Sequence, residues 1–236
     1  MFSKIIKLFT KNKKQNKRPV LHPISQIKSK KPYWGVVVAK RLFPKEWGFM
    51  YESSKLIPGQ CSYCHNTLEK IPNVNFVIIK KKGCIYSTYD GFIVVNQKFK
   101  IFCETQKYAN LTFIPLVKSE GWYFFMPNEI FQVDEKRTII RHANYNHGKY
   151  KRKGIMEGDE PCPHCGQYDW TGDGSFTYSK TRLSDSEDFI MRLPEFHGDF
   201  NHKFPIIIVG KRTAELLNNN GLATGVDFDD VYYWDR

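Results

Sequence analysis

No stretch of this sequence stays apolar for long. The strongest runs, GVVVA at 35–39 and PIIIVG at 205–210, fall far short of the roughly 20 apolar residues that a membrane-spanning helix needs. A secretory leader is missing as well. The first residues are basic, but neither an apolar segment of about 7–15 residues nor a small-residue cleavage site follows. The expected compartment is the cytoplasm. Cysteine is sparse, six in 236 residues, which excludes a disulfide-dense secreted scaffold. Acidic residues are absent from positions 1–31, which hold ten Lys and Arg between Lys4 and Lys31. The other 205 residues carry 26 basic and 24 acidic groups. The net charge of +12 thus belongs to an N-terminal arm, and the body is nearly neutral. A body that grips nucleic acid usually shows a basic face of its own.

Catalytic signatures are missing too. There is no phosphate-cradling loop ending in Gly-Lys-Ser/Thr, no Gly-x-Ser-x-Gly elbow and no His-Glu-x-x-His helix. DWTGDG from Asp169 opens like a calcium loop, yet Thr171 stands third and Lys180 twelfth, where a bidentate glutamate belongs. His142 and His147, in the basic loop HANYNHGKYKRKG, read as surface residues, as do Asp227, Asp229 and Asp230 near the C-terminal end. The chain is expected to be non-enzymatic and to use no small-molecule substrate.

The arm, residues 1–31, begins with MFSKIIKLFTK. On a helix, Phe2, Ile5, Ile6, Leu8 and Phe9 fall within roughly 160°, with Lys4, Lys7 and Lys11 opposite. Such a segment can touch an anionic membrane at the inner face, or nucleic acid, weakly. A polar, proline-broken linker follows.

Residues 32–236 read as a single α+β domain, a mixed β-sheet with a few helices. YWGVVVAKRLF, NFVIIKKKGCIYSTYDGFIVV and GWYFFMPNEIFQVD are rich in the β-branched and aromatic residues that suit strands. Two segments, 91–115 and 205–230, share a strand–helix–strand plan. Each has an apolar run, a turn residue (Asn96 or Gly210) and an amphipathic helix. Phe99, Phe102 and Cys103 match Thr213, Leu216 and Leu217 at i, i+3, i+4 spacing, and a second strand follows.

Four of the cysteines form two Cys-x-x-Cys knuckles, Cys61 with Cys64 and Cys162 with Cys165. Two such knuckles can place four thiolates tetrahedrally around one structural zinc ion, giving a two-knuckle, zinc-ribbon-like site. The 97 residues between Cys64 and Cys162 exceed a compact ribbon's spacing, but closure cost grows only logarithmically with loop length. Cys84 and Cys103 sit in apolar runs and read as packing residues. Cys162-Pro163-His164-Cys165 also has the form of a thiol–disulfide oxidoreductase motif. Its flanks, MEGDEP before and GQYDWTGDG after, lack the strand and helix that such an active site uses.

The two knuckles, together with IIIVGKRTAELLNNNGLATGVDF at 206–228, resemble the double Cys-x-x-Cys-Gly family of bacterial polymorphic-toxin immunity proteins. Gly166 stands at the motif glycine of the second knuckle, and His65 takes that place in the first. The resemblance implies a protein that binds and neutralises a cognate toxin, with zinc holding its shape. The aspartates at 227, 229 and 230 are then a candidate contact for a basic toxin. The alternatives are a zinc-ribbon nucleic-acid binder gripping phosphates with the arm, and a thiol–disulfide oxidoreductase using Cys162 and Cys165.

Overall fold

The β-branched and aromatic runs form strands where each strand's pleat can bury one or both faces. The computed structural model describes residues 35–51, 57–79, 82–138, 140–144, 156–157, 161–173, 177–199 and 202–234. The arm, its linker and His147 lie outside the described residues. Gly35–Arg236 makes one compact unit. Its elements, in order, are β1 (Val36–Pro44), β2 (Ile85–Ser87), β3 (Ile93–Asn96), α1 (Gln97–Thr105), β4 (Leu111–Pro115) and β5 (Trp122–Pro127). Then come β6 (Ile140–Asn144), β7 (Met156–Glu157), β8 (Trp170–Asp173), β9 (Thr177–Tyr178), β10 (Ile190–Asp199), β11 (Phe204–Gly210), α2 (Lys211–Asn219) and β12 (Val226–Tyr233). The fold is α+β: a four-stranded sheet, β2-β3-β5-β4, and an eight-stranded one, β7-β6-β8-β10-β11-β1-β12-β9. His142 lies on β6.

The two strand–helix–strand units are related more deeply than their sequences show. β3 and β4 run parallel with β5 antiparallel between them, and β11 and β12 run parallel with β1 between them. β2 flanks β3 as β10 flanks β11. The order β2-β3-β5-β4 therefore recurs as β10-β11-β1-β12. The intervening strand comes each time from the other copy, because β1 opens the first copy and β5 opens the second. After β1, the chain crosses to β2 through a parallel bridge, Glu46 to Ser87; after β5 it crosses to β10 through Ile130 to Arg192. Two copies of one topology thus exchange their first strands.

Backbone details repeat as well. The amides of Gln106, Lys107 and Tyr108 close α1 onto the carbonyls of Phe102, Glu104 and Cys103. Those of Asn220, Gly221 and Leu222 close α2 onto Leu216, Asn218 and Leu217. Lys107 (φ 58°) and Gly221 (φ 67°) take the same left-handed cap, the position that glycine favours. Asn96 accepts from the Phe99 amide at 3.1 Å and caps α1. Gly210 begins α2 with no side-chain cap.

Both helices pack into one shared core. Ile93, Val95, Phe99, Phe102 and Cys103 from the first copy meet Ile207, Val209, Ala214 and Leu217 from the second. Tyr108 and Thr213 hydroxyls bond at 2.9 Å across the two helical units. Alternate residues of the same strands face two outer cores. Phe92 and Val94 join Trp122 and Phe124; Ile206 and Ile208 join Val38 and Phe131. Burial on both faces is why these strands read as unbroken apolar runs.

Two sequence expectations change here. On α2 the buried face is Thr213, Ala214 and Leu217, with Leu216 only half-buried, so the helix is turned with Ala214 rather than Leu216 toward the core. Phe76 and Ile78 are buried while Val77 and Ile79 are exposed, yet they join no ladder. The Ile78 amide instead donates to Ser119 Oγ at 2.8 Å, and the segment serves as a cover for the outer core. Cys84 and Cys103 are buried packing residues of the shared core, and burial pushes the Cys103 thiol up.

Candidate metal centre

Each knuckle is a tight turn that folds both sulfurs back on one point. In the first, the Cys61 amide donates to the Asn66 carbonyl at 2.9 Å and the His65 amide to the Cys61 carbonyl at 2.9 Å. In the second, Cys162 donates to Gln167 at 2.9 Å and Gly166 to Cys162 at 2.8 Å. The two turns make the same hydrogen bonds at matching positions. Gly166 has φ 69° and His65 has φ 60°, so the motif glycine and its replacement do the same backbone work. Histidine tolerates this region better than most residues, at some strain. His65→Gly is expected to raise stability by about 0.5–1 kcal/mol. Thermal melts check it, and a fall of similar size would mean that the imidazole makes a contact worth more than the strain.

The two knuckles converge. The sulfurs of Cys61, Cys64, Cys162 and Cys165 all lie within 4.8 Å of one another, and Cys64 and Cys165 approach to 3.5 Å. None of them is in a disulfide. Four sulfurs at about 2.3 Å from one ion stand about 3.8 Å apart on a tetrahedron, so the cluster fits a single metal ion with slight contraction. Cys61, Cys64 and Cys162 are buried and Cys165 half-buried, and together they form a small core of their own.

Metal ligation needs thiolates. Burial pushes the Cys61 thiol up, but the amides of Cys64 and Tyr63 donate to its sulfur and bring it down to about 7. Burial raises Cys64 and Cys165, which is the desolvation that a bound cation offsets. Several neighbours escape a reading by motif. Asn66, fully buried, donates from Nδ2 to Cys64 Sγ at 3.2 Å and to the buried Asp169 at 3.3 Å. Lys203 has no exposure; burial lowers its pKa, while Glu195, Asp169, Cys165 and Cys64 pull it up. Its ammonium thus lies in the field of the thiols. Tyr63 and His164, at matching positions of the two knuckles, stack at 4.4 Å on the outside. The repeated Cys-x-x-Cys frame could have flagged that pair; only tertiary contact marks Asp169 and Lys203.

The second knuckle runs on through a turn into β8. No helix begins there, so the helix N-terminus that lowers a redox thiol's pKa is not supplied. The aspartates do not form one site either. Asp230 is ion-paired with Lys40 and accepts from the Tyr232 hydroxyl at 3.3 Å, while Asp227 and Asp229 are exposed on the opposite face of β12.

Just past the first knuckle, Lys70 is buried with its ammonium 4.6 Å from the Phe92 ring centroid. It donates to the Asp90 carbonyl at 2.7 Å. Burial lowers its pKa from 10.5 to about 7, against the pull of Asp90. Below about 7 both folded and unfolded chains carry the proton, and the fold bears a buried charge. Between about 7 and 10.5 only the unfolded chain keeps it, so stability rises with pH at up to about 1.4 kcal/mol per unit. Urea melts from pH 7 to 10 should show this slope in the parent and lose it in Lys70→Met. An equal slope in both would refute the assignment.

Compared with protein-family models and with curated proteins, the chain matches none. No helix among the described residues is long and apolar enough to cross a membrane.

Proposed function

We propose that this protein is a non-enzymatic, immunity-type protein that binds and neutralises a cognate bacterial toxin, its fold clamped by one structural zinc ion. The observation that carries the reading is the convergence of Cys61, Cys64, Cys162 and Cys165 within 4.8 Å. Four protein thiolates satisfy zinc completely, as structural sites do, whereas catalytic sites keep a position open for water or substrate. Four thiolates make a soft set, which suits zinc over calcium or magnesium. The toxin assignment draws on the resemblance of the knuckles and of 206–228 to the double Cys-x-x-Cys-Gly family. On the same reading the body works in the cytoplasm, and the basic arm at 1–31 brings it to the inner membrane face.

Co-expression with the products of adjacent genes tests this. The expected result is a one-to-one complex and restored growth of cells that express the toxin. No complex and no rescue with any neighbour would end the reading. Rescue by a parent protein that, once purified, shows no insulin-reduction or thiol-oxidation activity would separate binding from thiol chemistry.

A further inference from the structure

β4 is the last strand of the four-stranded sheet, and its outer edge carries unused backbone groups. The Asn128 amide donates to Asn110 and the Leu116 amide to Trp122. With the register Thr112 to Met126 and Ile114 to Phe124, this aims the even-numbered groups at β5. The N–H and C=O of Leu111 and Phe113 therefore point away from the sheet. Among the described residues no hydrogen bond reaches them from that side. Pro115 ends the edge without an N–H.

Over the face of β4 and β5 that carries Thr112, Ile114, Phe124 and Met126 lies a cleft of about 490 Å³, a size that takes a ligand rather than a water. Its floor is apolar: Ile114, Phe124 and Met126. One wall is the irregular stretch of β10, where the pairing with β11 shifts between Arg192 and Phe196. Arg192 holds this bulge by donating from Nη1 to the carbonyls of Leu193 and Pro194, at 3.0 and 3.1 Å. Its guanidinium stands 5.5 Å from the Phe196 ring centroid. No carboxylate pairs with it among the described residues. Burial lowers its pKa with no acid opposing. Glu69 and Glu195 also stand in the walls, but the field of Glu195 falls on Lys203. A half-buried guanidinium with unused fork donors is a receptor for a carboxylate.

The position of Arg192 selects the source of that carboxylate. Its amide donates to Glu129, just past the end of β5, and β5 ends where β4 begins, Pro127 facing Leu111. A strand added antiparallel to β4 would finish at this same end. We propose that the cleft receives the carboxyl terminus of a partner polypeptide ending in an apolar residue. The partner chain pairs with the β4 edge, its terminal carboxylate meets Arg192, and its last side chain rests on Ile114, Phe124 and Met126. Strand addition with capture of a chain end is an established mode of peptide recognition. The inference rests on the reading that this protein acts by binding another protein.

The test probes an array of hexapeptides with free C-termini, varied over apolar, polar and charged residues at the last three positions, with the full-length, metal-loaded protein. Spots ending in Leu, Ile, Val or Phe are expected to bind. C-terminal amidation of the best sequence should weaken it roughly 10- to 100-fold, and Arg192→Gln should abolish the preference for acid over amide. Ile114→Glu, on the half-exposed floor, should abolish binding independently, and unchanged melts of both variants show that they fold. No binding anywhere on the array, or equal binding of acid and amide, overturns the proposal. Displacement of the peptide by N-acetylleucine at matched concentration assigns the cleft to a small organic acid and overturns it too. A toxin complex without array binding removes the cleft alone. Array binding without a toxin complex removes the toxin alone.

Discussion

Treated with a mercurial thiol reagent and a chelator, the purified protein is expected to release one equivalent of zinc and to lose its cooperative melting transition. Binding to four thiolates is worth an apparent ~10–16 kcal/mol near neutral pH. That is of the same size as the whole ~5–15 kcal/mol that holds an ordinary domain together. The loss should be concentrated in the contact between the copies, because each copy supplies two of the four sulfurs. Without the ion, the buried thiols of Cys61, Cys64 and Cys162 must be kept protonated or pay for charge in a small core. Cys64→Ser or Cys162→Ser should act like removal of the metal, and Cys165→Ser, at the half-exposed corner, somewhat less. Metal analysis with a colorimetric chelator and calorimetry reads both. A stoichiometric absence of zinc, or an unchanged melt after its release, would sink the clamp.

Cutting the chain after Lys118 should produce two fragments that cannot fold apart and do fold together. Residues 1–118 contain β3 and β4 but not β5, which lies between them. Residues 119–236 contain β11 and β12 but not β1. Each fragment thus has a parallel pair with a missing middle, and each holds one Cys-x-x-Cys knuckle. The gap exposes the apolar edges of Val94 and Val95 in one case and of Ile207 and Ile208 in the other, all buried in the intact protein. Orphaned ladder groups and exposed core together exceed any stability that a half could keep. The expected result is no cooperative melt for either fragment, and a one-to-one complex with a cooperative, zinc-dependent melt on mixing. Circular dichroism and sedimentation decide it. A fragment that melts cooperatively alone would show that the exchanged strand is dispensable.

Much of the local structure was legible. The helices follow from Phe99, Phe102 and Cys103 and from Thr213 and Leu217, whose spacing is a property of the helix itself. β1, β3, β5 and β11 follow from β-branched and aromatic runs, and the knuckles from their spacing. Where the fold departs from the sequence pattern, the cause is tertiary. Phe76–Ile79 alternates like a strand, but its hydrogen bonds go to Asn73 and Ser119 and, among the described residues, to no neighbouring strand. Leu216 has the right spacing, but the helix is turned so that Ala214 is buried and Leu216 only half-buried. Arg192 carries no sequence mark at all, since its significance lies in its tertiary surroundings, where among the described residues its guanidinium bonds only carbonyls.

Sequence alone marked the two helices, the apolar strands β1, β3, β5 and β11 and the pairing of four cysteines, because these depend on side-chain period and on neighbours within a turn; β6, β8 and β10 carry no such mark. It also located the recurrence of strand–helix–strand units. Tertiary structure alone decided that β1 and β5 trade places and that the knuckles meet. It also decided that β4 ends the four-stranded sheet among the described residues, with a cleft over its face. A strand's period says which face is buried but not which strand lies beside it. The cost of closing a long loop rises too slowly with length for spacing to forbid one partner or demand another.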